Sequence, residues 1–189
     1  MSDKEMVSIE DAVAQVKKTA ARLALLHLGF STTLLKEFGE EKAKELIIKS
    51  MVEYGKLVGK HQKQDNLPAY GLYEKQSYKN KDFIDIRNIP LSENESVDFE
   101  HFKVYGCELA KTFIELQEEE LGRLYCYVDA AKSMAEDPDK KFIHTDCLLC
   151  GDDYCSFQYS PTSEKEKEDF KNNNRDWKTI DPLLFEKKK

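Results

Sequence analysis

Cys147, Cys150 and Cys155, three of the chain's five cysteines, fall within nine consecutive residues, "CLLCGDDYC". Three kinds of chemistry fit such a stretch. Cys-x-x-Cys brings two thiolates within reach of one tetrahedral ion. Cys155, with Cys126 or His144, would extend it to a set whose expected metal is zinc. A thiol whose pKa is lowered by a cation, a helix N-terminus or a paired base is instead a nucleophile. Part of the stretch needs no chemistry at all, because Gly151 permits a positive φ and Asp152 bonds its own backbone, which together make a tight turn. The metal set Cys147, Cys150, Cys155 and Cys126 lacks the second close pair of a usual structural zinc site, so no resident cofactor is the first expectation.

Two further groups carry potential chemistry. Cys107 follows "VYG" and is expected to open a helix, whose free N–H groups favour a thiolate; the plain alternative is a small buried side chain. Cys126 and Asp129 stand three residues apart, on one face of the helix expected at "GRLYCYVDAA". Asp is a poor residue for a helix interior, so it is either satisfied by hydrogen bonds or, with its pKa raised by burial, a general acid or base. His144 alternates onto the strand face opposite Thr145 and Cys147. That places it in solvent unless both faces are covered. His27, His61 and His101 are isolated and suggest no site.

The elements that position these groups follow from periodicity. Ser8 with Asp11 opens an amphipathic helix over 8–28 that is expected to stop at Gly29, "STTLLKEFG" gives a short second helix, and "EEKAKELIIKSMVEYGKLVGKHQ" a third. Residues 63–96 read as a loop-rich crossing with one strand at "DFIDIRNI", and "VDFEHFKVYGC" supplies another. A helix pair broken around Glu119 to Gly122 leads to a hairpin over 142–149 and 154–159. Regular alternation there sets Cys147 opposite Cys155, Thr145 opposite Phe157 and Ile143 opposite Tyr159. The reading is one α+β domain over 1–161, with a helical N-terminal third and helices packed on one face of a small, mostly antiparallel sheet. Residues 162–189 read as a charged C-terminal arm that docks, if anywhere, through Trp177 and Leu183 to Phe185.

Composition bounds the partners. The net charge of −7 would repel a polyanion, which argues against nucleic acid. No stretch approaches the roughly 18 apolar residues that span a bilayer, and "MSDKEMVSIEDA" lacks a signal-peptide layout, so a cytoplasmic protein with no membrane partner is expected. Five cysteines, an odd number, point to free thiols before a disulfide framework. A homodimer stays open.

The string "GCELAKTFIELQEEELGRLYCYVDAA", followed by "FIHTDCLLCGDDYCSFQY", resembles the L-2-amino-thiazoline-4-carboxylic acid hydrolase family. Members carry a Cys before the first of these helices, a Cys-x-x-Asp in the second, and a Thr-x-x-x-x-x-Gly-Asp-x-x-Cys hairpin. The matching positions are Cys107, Cys126, Asp129, Thr145, Gly151, Asp152 and Cys155. The hairpin is also similar to that of 4-vinyl reductase domains, which hold small molecules between helices and a curved antiparallel sheet. Cys150 departs from the pattern, and the tail after residue 161 lies outside it.

The resemblance implies hydrolytic opening of a cyclic isothiourea to N-carbamoyl-L-cysteine, with a small-molecule substrate as partner. On that reading Cys107 or Cys126 is the nucleophile, Asp129 the general acid or base, and Arg123 or Arg87 the carboxylate anchor. Thr145, Cys147, Gly151, Asp152 and Cys155 line the pocket. The alternatives are a non-catalytic sensor or carrier using the same pocket, and a cysteine-rich metal protein.

Overall fold

The computed structural model describes residues 8–63, 97–98 and 103–185. The order is α1 (Ile9–Phe38), α2 (Glu40–Lys63), β1 (Val97–Asp98), β2 (Lys103–Val104), α3 (Glu108–Glu115), α4 (Glu119–Tyr125), α5 (Tyr127–Glu136), β3 (Lys140–Asp146) and β4 (Ser156–Pro161). It closes with α6 (Glu164–Asn172), a 3-10 turn (Arg175–Thr179) and α7 (Pro182–Phe185). The class is α+β, with the helices of the N-terminal part leading into a small antiparallel hairpin of β3 and β4. The strand expected at "DFIDIRNI" lies outside the described residues. The second expected strand is represented by β1 and β2, which pair with each other, and Val104 continues onto Cys155 through a two-way backbone bridge.

α1 starts where its sequence says, since the Ser8 hydroxyl accepts from the Asp11 amide. It does not stop at Gly29. It runs on to Gly39, whose φ of +74° suits glycine, so the separate helix at "STTLLKEFG" is the last third of α1. Gly29 costs about 1 kcal/mol in a helix interior, and the apolar stripe that continues past it through Leu34 and Leu35 into the core outweighs that. The buried His27 secures α1 to α4 by a 2.9 Å hydrogen bond between Nε2 and the Leu121 carbonyl.

α2 and α5 pack at close range because Gly55 and Gly59 face α5. A Cβ on Gly55 would lie 2.4 Å from the Ala131 Cβ, and one on Gly59 would lie 2.6 Å from the Lys132 carbonyl oxygen. This close approach fixes α5, the helix that carries Asp129. The two kinds of glycine predict opposite signs. Gly55→Ala is expected to destabilise by about 1–3 kcal/mol through overpacking. Gly29→Ala, with nothing within 4 Å of the added Cβ, is expected to stabilise by up to about 1 kcal/mol. Urea denaturation midpoints of the two variants check this. Equal shifts would contradict it.

The C-terminal residues belong to the same core as the rest. Ser163 and Glu166 form a capping box that starts α6, and Trp177, Ile180 and Leu184 are buried among α5 and the hairpin. Trp177 packs against Tyr127 and Phe170, and the Tyr127 hydroxyl donates to the Lys178 carbonyl at 2.6 Å.

Candidate active site

The helix expected to run unbroken through "GRLYCYVDAA" is split at Cys126, which joins α4 to α5 in a tight turn, and the earlier break falls at Leu116 to Glu118 rather than at Glu119 to Gly122. Cys126 keeps helical angles (φ −64°, ψ −14°) and its carbonyl accepts from the Asp129 amide, so the two side chains still start one turn apart. Asp129 forms an ion pair with Lys132, both side chains being only partly exposed.

The hairpin register differs from simple alternation. His144 pairs with Phe157 and Asp146 with Ser156, so Thr145 is the extra residue of a β-bulge. Tyr159 therefore faces Phe142 rather than Ile143, and Cys155 bonds to Val104 rather than pairing with Cys147. The bulge brings both His144 and Cys147 to buried positions while leaving Thr145 exposed, its hydroxyl bonded to Ser156. Past the bulge the chain makes a 3-10 turn at Leu148–Cys150. Gly151 closes it with φ +94°, and the Asp152 carboxylate accepts from the Cys147 amide at 2.8 Å.

Around Cys147 the thiols converge. Cys126, Cys150 and Cys155 all stand in hydrogen-bond reach of its sulfur. Hydrogen bonds from Cys126, then Cys150 and Cys155, with the nearby His144 charge adding, hold the Cys147 thiol well below its ordinary range despite burial. The three donors are pushed up in turn, Cys126 chiefly through its bond to Cys147, so of the four thiols Cys147 is the one favoured to ionise first. Cys147 is fully buried, whereas Cys126 is half-buried.

Cys107 does not gain the expected activation. Burial first, and then the Asp129 charge, outweigh the amides of Ala110 and Leu109 and raise its thiol pKa. The helix N-terminus is the weaker influence at this position.

His144 is the residue that sequence reasoning misplaced. It is buried, because the chain's last described segment covers the face that alternation assigned to solvent. Its Nδ1 lies 2.8 Å from Asp181 Oδ2, and its Nε2 is 4.0 Å from Asp129 Oδ2. Burial alone would lower its pKa, but the Asp181 hydrogen bond and charge, helped by Asp129 and Cys147, raise it above the ordinary 6.5. A raised folded pKa means that this contact's stabilisation is fully present below about pH 6.5 and is lost as pH rises through the folded value. The stability gap between the native chain and His144→Gln is therefore expected to shrink between pH 6 and pH 9. Denaturant midpoints across that range check it, and a gap that widens with pH would contradict it.

Arg123, on α4, lines both of two surface clefts of about 680 and 610 Å³, and neither cleft includes Cys126, Asp129, Cys147 or Cys155. It touches the nest from behind, through Cys150. Arg87, the other anchor candidate, lies outside the described residues. Among the described residues, no set of three or more His, Cys, Asp or Glu side chains could hold a metal ion. Among the same residues no helix is long and apolar enough to cross a membrane.

The hairpin and split helix of this α+β domain thus bring a thiol nest beside a carboxylate and a buried His–Asp pair. The chain belongs to the L-2-amino-thiazoline-4-carboxylic acid hydrolase family, whose model matches residues 18–159. No curated protein and no solved structure matches it.

Proposed function

We propose that this protein is a small-molecule hydrolase that opens a cyclic thiazoline-type substrate at its C=N carbon, as the family description suggests. The observation that carries the reading is the placement of the half-buried Cys126 against Cys147, the thiol of the nest favoured to ionise, and one helical turn before Asp129. Cys126 is the nucleophile. Its sulfur forms a bond to the ring carbon as its proton passes to Cys147. The C=N electron pair moves onto the ring nitrogen and returns as the ring carbon–sulfur bond breaks, and the departing sulfur takes the proton back from Cys147.

The resulting isothiourea on Cys126 is cleaved by water. Asp129 accepts a proton from the water, whose oxygen bonds to the carbon, and the Cys126 sulfur leaves. The net change adds one water and yields an N-carbamoyl amino thiol. His144, its pKa raised by Asp181, faces Asp129 and Cys147 and in its protonated form stabilises negative charge there. The reduced thiols that this chemistry needs fit a cytoplasmic setting.

The reading is tested by incubating the purified protein with 2-aminothiazoline-4-carboxylate and following thiol release with a chromogenic disulfide after removing the protein. Product thiol growing with time and enzyme concentration is expected. Its absence for this compound and for simple thiazoline carboxylates would overturn the reading.

A further inference from the structure

We infer that the C-terminal segment is a working part of the site: Asp181 is a positioning residue that clamps His144 so that its free ring nitrogen faces Asp129. Asp181 lies beyond the residues that the family model matches, and the inference rests on the hydrolase reading above.

One carboxylate oxygen, Asp181 Oδ2, accepts from two groups of the same residue, the His144 backbone N–H at 3.0 Å and the ring Nδ1–H at 2.8 Å. Two bonds from one residue to one atom fix the position of the strand and the rotation of the ring together. They also fix the proton on Nδ1, which turns Nε2 toward Asp129 Oδ2 at 4.0 Å. Both side chains of the clamp are 1% exposed, so water does not compete for either bond. The second oxygen, Asp181 Oδ1, is buried with no hydrogen-bond partner. A carboxylate buried with half of its acceptor capacity unused is an expensive way to fill a core position. Holding an imidazole gives it a purpose that packing alone does not.

The segment is tied down on both sides of the carboxylate. Before it, Lys178 accepts the Tyr127 hydroxyl and Trp177 packs on the Tyr127 ring, which joins the segment to the helix of Asp129. After it, the Leu183 carbonyl lies 3.7 Å from Cys150 Sγ, a member of the nest. The groups facing the His144 ring are therefore Asp181 from the segment, Asp129 from α5 and Cys147 from the turn after β3. Phe157 of β4 covers the ring's flank at 4.5 Å between centroids.

The test uses the full chain, with Asp181→Asn as a near-isosteric change and Asp181→Glu as a second variant that keeps the charge. Kinetics of 2-aminothiazoline-4-carboxylate hydrolysis are read beside the imidazole nitrogen NMR signals of His144 and a thermal melt. The expected result for a folded Asp181→Asn is a kcat lower by about 10- to 100-fold with KM within about twofold of native. A changed His144 ring signal is expected with it. If Asp181→Asn fails to fold, Asp181→Glu decides, with kcat and ring signal displaced together supporting the clamp. A folded variant with native kcat and an unmoved His144 signal would overturn it. If the native chain turns over no thiazoline, the hydrolase reading falls separately. The NMR comparison then stands alone, and a His144 signal that Asp181→Asn leaves unmoved still overturns the clamp.

Discussion

Cys126→Ser is expected to lower turnover of 2-aminothiazoline-4-carboxylate by about a thousandfold or more, with the fold intact. A serine hydroxyl has nearly the same shape but is a far weaker acid and nucleophile, and removal of a nucleophile generally abolishes the covalent route. Cys126 is half-buried, and besides Cys147 its sulfur meets the Gly122 carbonyl at 3.8 Å, contacts that a serine hydroxyl of similar size keeps, so the structural cost is small. Cys147→Ser separates the roles. It removes the sulfur that holds the charge, so activity falls as well, but the pH dependence of any remaining rate moves toward that of an ordinary thiol. Cys107→Ser leaves turnover within a few-fold of native, because Cys107 is not among the thiols bonded to Cys147. Steady-state rates of the three variants, read with a melt of each, check the assignment. Native-like turnover by Cys126→Ser would sink it.

The second large effect concerns stability. Trp177→Ala is expected to cost about 3–5 kcal/mol, because Trp177 is 2% exposed and its ring sits between Tyr127 and Phe170. Trp177→Phe is expected to cost much less. It keeps an aromatic ring and deletes an indole N–H that is buried without a partner. Equilibrium urea unfolding of the two variants measures the difference. Activity of Trp177→Ala should fall along with stability, since the same segment carries Asp181. A Trp177→Ala protein that unfolds at the native midpoint would show that the segment is not part of the cooperative core.

Much of the site was legible because its signals are local. The crowding of Cys147, Cys150 and Cys155, the Cys126–Asp129 spacing and the Gly151–Asp152 turn are short-range facts, and the helix face and turn they imply are formed. What was not legible depends on long-range contacts. The bulge at Thr145 shifts the register by one residue, and no residue type within "FIHTDC" marks it; nor does anything there show that the C-terminal segment covers the face of His144. Its partner Asp181 is 37 residues away in a run dominated by charge. The usable signal there was the spacing of Trp177, Ile180 and Leu184, which puts three buried apolar side chains at intervals of three and four. At Cys107 the helix N-terminus was correctly expected, but burial sets the thiol's acidity, and burial is a tertiary property. Gly29 misled for the converse reason: a local breaker lost to packing along a 30-residue helix.

The central claim is that Cys126, set against Cys147 as proton acceptor and one turn before Asp129, is a metal-free nucleophile. It is tested most directly by alkylating the native protein with iodoacetamide across pH, with mass-spectrometric assignment of the labelled site, in the presence and absence of a zinc chelator. The account predicts first labelling at Cys126, the more exposed partner of the buried Cys147, at the same rate with and without chelator, and slowed by 2-aminothiazoline-4-carboxylate. Labelling of Cys126, Cys147, Cys150 and Cys155 as a set, and only after chelation, would contradict it and make the nest a metal centre.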